Sequence, residues 1–277
     1  RLNSEPHALA FAGQSTPWPV ALADQSANPA LDEALHTHAA AAQALLYPVS
    51  AELLATTGRP VDLFGFEPNP ARLDAAAAAS ASVPGIALTQ LGALLDAAAL
   101  GYNPAQAKPV AVLGHSQGVL AVHMVQAICE AGSIDAAAAK IDEILAIATL
   151  IGVAGTRQAR QLGLAARHGE ATPMLSVKDI TRAQVDALIE RVDGARGPIA
   201  VAVTNSATHY VLSGYPEDLA AFGVEVAKEH KRQAKLREEK VRGGRVFDPV
   251  LEYLDVTLPF HSPLMADAVS QAVAWAE

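Results

Sequence analysis

The chain has 277 residues, room for one large α/β domain with an insertion or for two modest domains. Its residues are 51% hydrophobic and only 18% charged, a balance that favours a packed globule over a disordered chain. A formal net charge of −9 argues against a nucleic-acid partner; no apolar run is read as long enough to span a membrane, and the first residues lack the basic-then-apolar layout of a secretory signal.

One cysteine, Cys129, cannot form an internal disulfide, which points to a reducing, cytoplasmic setting and to Cys129 as core filler. The nine histidines show no metal-ligand spacing, so no metal is expected.

Residues 8–12 read as a first strand ending at Gly13-Gln14-Ser15. Asn28 is placed to cap a helix with Pro29 at its first position. Pro48 interrupts that pattern, and a second helical piece is expected over 51–57. Residues 59–70 read as loop, with Asn69-Pro70 offering another helix start. The stretch 86–100, apolar nearly all round, suits a buried helix.

Residues 109–124 carry the chemistry. A short apolar strand leads into Gly114-His115-Ser116-Gln117-Gly118, and a helix follows to about Glu130. This is the G-x-S-x-G nucleophile elbow in the strand-to-helix context that it needs. A serine at such a tip sits in strained backbone, and glycines two residues away on either side remove Cβ atoms that would clash. Its hydroxyl then stands at a helix N-terminus, where the dipole favours a developing oxyanion.

Ser133 is placed to cap a helix reaching Leu150. After it come a strand at 173–178, a helix capped by Thr181 and ending near Val192, strands near 198–203 and 209–213, a helix from Pro216, and a strand over Tyr253–Leu258. That β-α-β-β-α-β order is ferredoxin-like. The expected fold is therefore α/β: an α/β-hydrolase-like large domain with a parallel-sheet core (1–171 plus 258–277) and an inserted ferredoxin-like small domain (172–257). The charge-dense run 228–245 reads as a solvated helix end and loop.

Ser116 needs a base, and His261 in Pro259-Phe260-His261-Ser262 is the candidate. Together with Phe11-Ala12-Gly13-Gln14 and Gly114–Gly118, this block resembles the acyltransferase domains of fatty acid and polyketide synthases. Asn205 and the strand pair that ends in Val211-Leu212-Ser213-Gly214 are similar to the family's small subdomain. Gln117 after the serine is similar to the acetyltransferase domain of type I fatty acid synthases of fungi and actinobacteria.

The resemblance implies that Ser116 takes an acyl group from coenzyme A. His261 would accept the serine proton and later activate the phosphopantetheine thiol of an acyl carrier protein. The backbone N–H groups of Gln14 and Gln117 would form the oxyanion hole, and Asn205 would contact substrate. His115 and Phe260 would either line the acyl pocket or serve packing. Acetyl-CoA would be the substrate, with no permanently bound cofactor. The partners would be the carrier protein and the other domains of a multidomain synthase in the cytoplasm, with no membrane or nucleic acid involved.

Two departures matter. Malonyl-specific relatives carry an arginine on the helix after the elbow, paired bidentately with the malonyl carboxylate. Here Ile151 stands in that stretch, which favours an acetyl starter, although Arg157 lies close enough in sequence to substitute. Relatives also continue past the catalytic histidine with a segment that orients it. The end at Glu277 suggests a fragment of a longer synthase, and a Ser-His dyad is expected. The alternatives are a malonyl or palmitoyl transferase, a polyketide starter-unit transferase and, in a different class, a serine esterase.

Overall fold

A computed structural model describes residues 3–13, 17–58, 60–63, 75–164, 171–192, 195–238 and 247–277. Its internal contacts divide the chain into two units, Arg1–Arg157 with Ala268–Glu277, and Gln158–Asp267. The second unit is wider at both ends than the inserted segment 172–257.

In the first unit, β1 (Ala8–Phe11) is followed by α1 (Trp18–Ser26), α2 (Pro29–Leu45), α3 (Ser50–Thr57) and α4 (Ala75–Ala99). The short α5 (Pro104–Ala107) then leads to β2 (Ala111–Gly114), α6 (Val119–Ala131) and α7 (Ala138–Gln161). Strands β1 and β2 pair in parallel, with Ala8 opposite Ala111 and Phe11 opposite Gly114. Asn28 caps α2 as expected, its side chain accepting from the Ala30 N–H at 3.2 Å with Pro29 in the first turn. The Pro48 interruption is a short 3-10 turn over Tyr47–Val49, and Gly58, at φ 75°, ends α3 in the left-handed region. The Asn69-Pro70 helix start lies outside the described residues.

Helix α4 is the core of this unit. It runs well upstream of the expected 86–100 and continues through Pro84. Ile86, Ala87, Leu88 and Leu91 are fully buried along it. Gly85 and Gly92, two turns apart, present no Cβ toward α1, so the Trp18 ring and the Gln25 side chain lie directly on the α4 backbone. Residues Ala79–Ala99 are, by length and composition, apolar enough to cross a membrane, contrary to the sequence reading that no apolar run is that long. Two thirds of that stretch is buried inside the protein, as in a core helix.

Helix α7 also outruns its expected end at Leu150. Gly152 is a contact point there, not a terminator: a Cβ at this residue would lie 2.6 Å from the Ala79 carbonyl oxygen, so α7 packs directly against α4. Cys129 is corrected from core filler to an exposed residue, because the buried stripe of α6 runs through Ala121, Met124, Val125 and Ile128 and leaves position 129 on the outer face.

The second unit contains β3 (Met174–Lys178), α8 (Arg182–Ile189), β4 (Ala200–Ser206), β5 (His209–Ser213), α9 (Pro216–Glu238) and β6 (Val250–Tyr253); α10 (Ala266–Ala276) belongs from Ala268 onward to the first unit. The β-α-β-β-α-β order is the one expected. The strands form one antiparallel sheet in the order β4-β5-β3-β6. Alternation along β3 sends Leu175 and Val177 into a core with Leu212, Val185 and Phe222, while Met174 packs with Val211 and Val256 in a separate cluster. Thr181 closes a capping box with Gln184 at the start of α8.

The last strand lies earlier than Tyr253–Leu258. The register with β3 ends at Tyr253 opposite Leu175, with a last bond from the Leu254 N–H to the Met174 carbonyl at 3.0 Å, and the chain then turns, the Val256 N–H donating to the Leu254 carbonyl at 2.7 Å. Val256 and Leu258 are apolar because they are buried, which mimics strand patterning. The charged run is also more than a solvated face: Glu229 is buried and accepts from Arg191 and Arg232. Residues 239–246 of that run lie outside the described residues.

Candidate active site

The elbow at 114–118 is built as its residue types demand. Ser116 has φ 51°, one of four non-glycine residues with positive φ among the described residues. For a residue with a Cβ this conformation is strained and persists only where the surroundings enforce it. Three glycines provide those surroundings. A Cβ on Gly114 would lie 2.6 Å from the Gly118 carbonyl carbon and oxygen and from the Val119 nitrogen. One on Gly118 would collide with the Phe11 carbonyl oxygen and lie 2.9 Å from that of Ala12. One on Gly13 would lie 2.6 Å from the His115 oxygen and 3.1 Å from Ser116 Cβ.

Backbone hydrogen bonds fix the turn. The His115 N–H donates to the Phe11 carbonyl at 3.0 Å, and the Gly118 N–H donates to the His115 carbonyl at 2.9 Å. Ser116 opens a short 3-10 turn that runs straight into α6, so its hydroxyl sits at the positive end of that helix. The side chain of His115 is exposed, which gives no support to a packing role.

The Gln117 side chain reaches α4, its Nε2 donating to the Val83 carbonyl. This ties the elbow to the helix whose preceding turns meet Gly152 of α7. Gln14 lies outside the described residues; Gly13, just before it, has its missing Cβ position 3.4 Å from the Gln117 nitrogen. Sequence reasoning missed Gln90, which reaches from α4 to the Ala12 carbonyl at 2.7 Å. The available signal was a polar Thr89-Gln90 pair inside an otherwise apolar helix.

Ile151 lies on α7 beside Gly152 and is half-buried. The nearest cationic candidate in sequence, Arg157, is exposed and donates from Nη1 to the Gln271 side chain on α10. That bond gives its guanidinium a partner on the surface.

Asn205, Phe260 and His261 belong to the second unit. His261 is exposed and, like Ser116, has positive φ, 56°. Its turn is tight: the Phe260 N–H donates to the Leu258 carbonyl at 2.8 Å, and Ser262 Oγ donates to the Pro259 carbonyl at 2.6 Å. Phe260 is half-buried against Met174, Val211 and Val256, so packing accounts for part of its role. Asn205, at the exposed end of β4, has its Nδ2 3.4 Å from His209 Nε2, which also lies 3.0 Å from the Ser176 hydroxyl. Among the described residues no group of three or more His, Cys, Asp or Glu side chains could hold a metal ion.

Comparison with known proteins gives concordant results. Residues 173–253 match the family model described as the fatty acid synthase central AT domain. The chain is 27% identical over 164 residues to the fatty acid synthase beta subunit hexB of Dothistroma septosporum, a match covering 54% of this chain and 8% of that protein. It is 29% identical over 175 residues to fatty acid synthase 2 of Mycosarcoma maydis, covering 59% of this chain and 5% of that protein. The chain thus spans less than a tenth of either synthase.

Among solved structures it is similar to the malonyl CoA-acyl carrier protein transacylase of Coxiella burnetii, with 18% identity, a TM-score of 0.57, and coverage of 99% of this chain and 69% of that one. At that identity the likeness speaks for the fold, a mixed α/β architecture with a parallel sheet and a second sheet. The family named by these matches and the family suggested by the motifs are the same.

Proposed function

We infer that this chain is an acyltransferase domain of a fatty acid synthase, working through an acyl-serine in two half-reactions. In the first, Ser116 Oγ attacks the carbonyl carbon of an acyl-CoA thioester and its proton passes to His261. Collapse of the tetrahedral intermediate breaks the carbon–sulfur bond, and the coenzyme A thiolate takes the proton back. In the second, the phosphopantetheine thiol of an acyl carrier protein gives its proton to His261 and attacks the ester. Ser116 leaves and is reprotonated. The backbone N–H groups of Gln117 and Gln14 hold the oxyanion in both steps.

The observation that carries this reading is the backbone of Ser116. A serine held at φ 51° between three glycines that admit no Cβ is a costly arrangement for a simple turn. It is the arrangement that exposes a nucleophile at a strand-to-helix corner.

The preferred acyl group is acetyl. A carboxylate near Ile151 would lose its water and gain no cation, and the Arg157 guanidinium is engaged by Gln271. The domain acts on a carrier protein within a larger synthase and uses no bound cofactor.

Incubation with mixed acetyl-, malonyl- and palmitoyl-CoA, followed by intact-mass measurement, tests the reading. One acyl mass should appear on the wild type and none on Ser116→Ala. An adduct that survives the substitution, or release of the acyl group to water with none passed to a carrier protein, would overturn it.

A further inference from the structure

Gln90 occupies a position where a packing residue alone would be aliphatic. It lies on α4 between the fully buried Leu88 and Leu91 and is itself buried. Its Nε2 donates to the Ala12 carbonyl at 2.7 Å. A carbonyl only accepts, so this contact fixes the orientation of the amide and turns Oε1 away. There Oε1 has no hydrogen-bond partner among the described residues. Burying an amide with half its capacity unmet is unfavourable, and a leucine of similar volume would avoid it.

The carbonyl that Gln90 holds is not an ordinary one. It lies 2.9 Å from the position that a Cβ on Gly118 would take. Ala12 is followed by Gly13, whose missing Cβ position is 2.6 Å from the His115 carbonyl and 3.1 Å from Ser116 Cβ. The segment 12–13 is therefore pressed against the elbow on one side and tied to α4 by Gln90 on the other.

Resting on the acyl-transfer reading above, we propose that Gln90 is a positioning residue: it holds the Ala12–Gly13 backbone against Ser116 and so sets the space in which the oxyanion forms. Displacements of about 1 Å at such a point reduce rates by roughly a hundredfold while leaving substrate binding largely intact.

A matched control grips α4 one residue before Gln90. Gln25 of α1 donates its Nε2 to the Thr89 carbonyl at 2.9 Å, and its Oε1 also lacks a partner among the described residues. Among the described residues Gln25 meets α4 at Thr89 and Gly92, away from the elbow residues 114–118.

The test uses the full chain with Gln90→Leu, Gln90→Glu and Gln25→Leu. Single-turnover acylation from acetyl-CoA and steady-state transfer are measured from pH 5 to pH 8, with a thermal melt for each variant. Gln90→Leu should lose about 10- to 100-fold in acylation rate with KM for the acyl-CoA within about twofold of wild type, and Gln25→Leu should keep the wild-type rate. Gln90→Glu should be slow at pH 8, where its carboxylate has no proton to donate to the Ala12 carbonyl. Relative to wild type at each pH it should recover as the pH falls and the buried carboxyl becomes protonated. If Gln90→Leu does not fold, the Gln90→Glu ratio decides.

Wild-type rates in Gln90→Leu, equal losses in Gln90→Leu and Gln25→Leu, or a flat Gln90→Glu ratio would each overturn the proposal. Failure of the wild type to load any acyl group overturns the acyl-transfer reading, and this proposal with it. A loading wild type with an unaffected Gln90→Leu overturns this proposal alone.

Discussion

Gly118→Ala should disable the elbow with a single methyl group. The new Cβ would collide with the Phe11 carbonyl oxygen and lie 2.9 Å from that of Ala12, both backbone atoms with no side chain to rotate away. Ordinary carbon–oxygen contacts begin at about 3.3 Å, so the end of β1 or the elbow must move by roughly 1 Å. Overpacking of this kind costs about 1–3 kcal/mol, and contact with backbone places it toward the upper end. Each kcal/mol should lower the melting temperature by about 2–4 °C in a chain of this size. Because the displaced atoms are those that position Ser116, the acylation rate should fall by about a hundredfold or more, far beyond what the stability loss explains at 25 °C. Stopped-time intact-mass measurement with acetyl-CoA gives the rate, and calorimetry gives the melt. Wild-type loading by a folded Gly118→Ala chain would show that the β1–elbow contact does not set the geometry of the serine.

Ile151→Arg should shift loading from acetyl-CoA toward malonyl-CoA, read as the ratio of kcat/KM values, because a guanidinium would then meet the carboxylate; efficient malonyl loading by the unmodified chain would end the Ile151 argument. The second unit should lose stability in acid through Glu229. Its carboxyl is held down from an ordinary 4.5 to about 2, first by the hydrogen bond from Arg232, against the opposing effect of burial, with Gln233 and Arg191 adding to the hold. A lowered folded-state value means that the stabilisation is fully present above pH about 4.5 and is lost as the pH falls through about 2. Both arginines are about half exposed, so screening reduces the gain to about 1–2 kcal/mol. Glu229→Gln should remove that acid limb from urea-unfolding curves, and an unchanged limb would place its origin elsewhere.

Much of this protein was legible because its signals are local. The Asn28 and Thr181 caps, the left-handed serine in G-x-S-x-G and the β-α-β-β-α-β order depend on a few neighbouring residues and on backbone sterics that act wherever those residues occur. The apolar stretch after residue 86 could likewise be read as a buried helix, since a helix apolar nearly all round must be covered on every side.

What sequence could not supply was set by contact. Helix α4 extends upstream through Pro84 because packing against α1 and α7 stabilises it where propensity would stop it. The final strand ends at Tyr253 because β3 offers no partner beyond Leu254, although the apolar pattern continues to Leu258. Cys129 is exposed because of which side of α6 faces the core. Gln90 gains its meaning from Ala12, 78 residues away. A side chain's own chemistry is written in the chain, but the atom that it meets is decided only when distant segments compete to fill the same space, and that competition is tertiary.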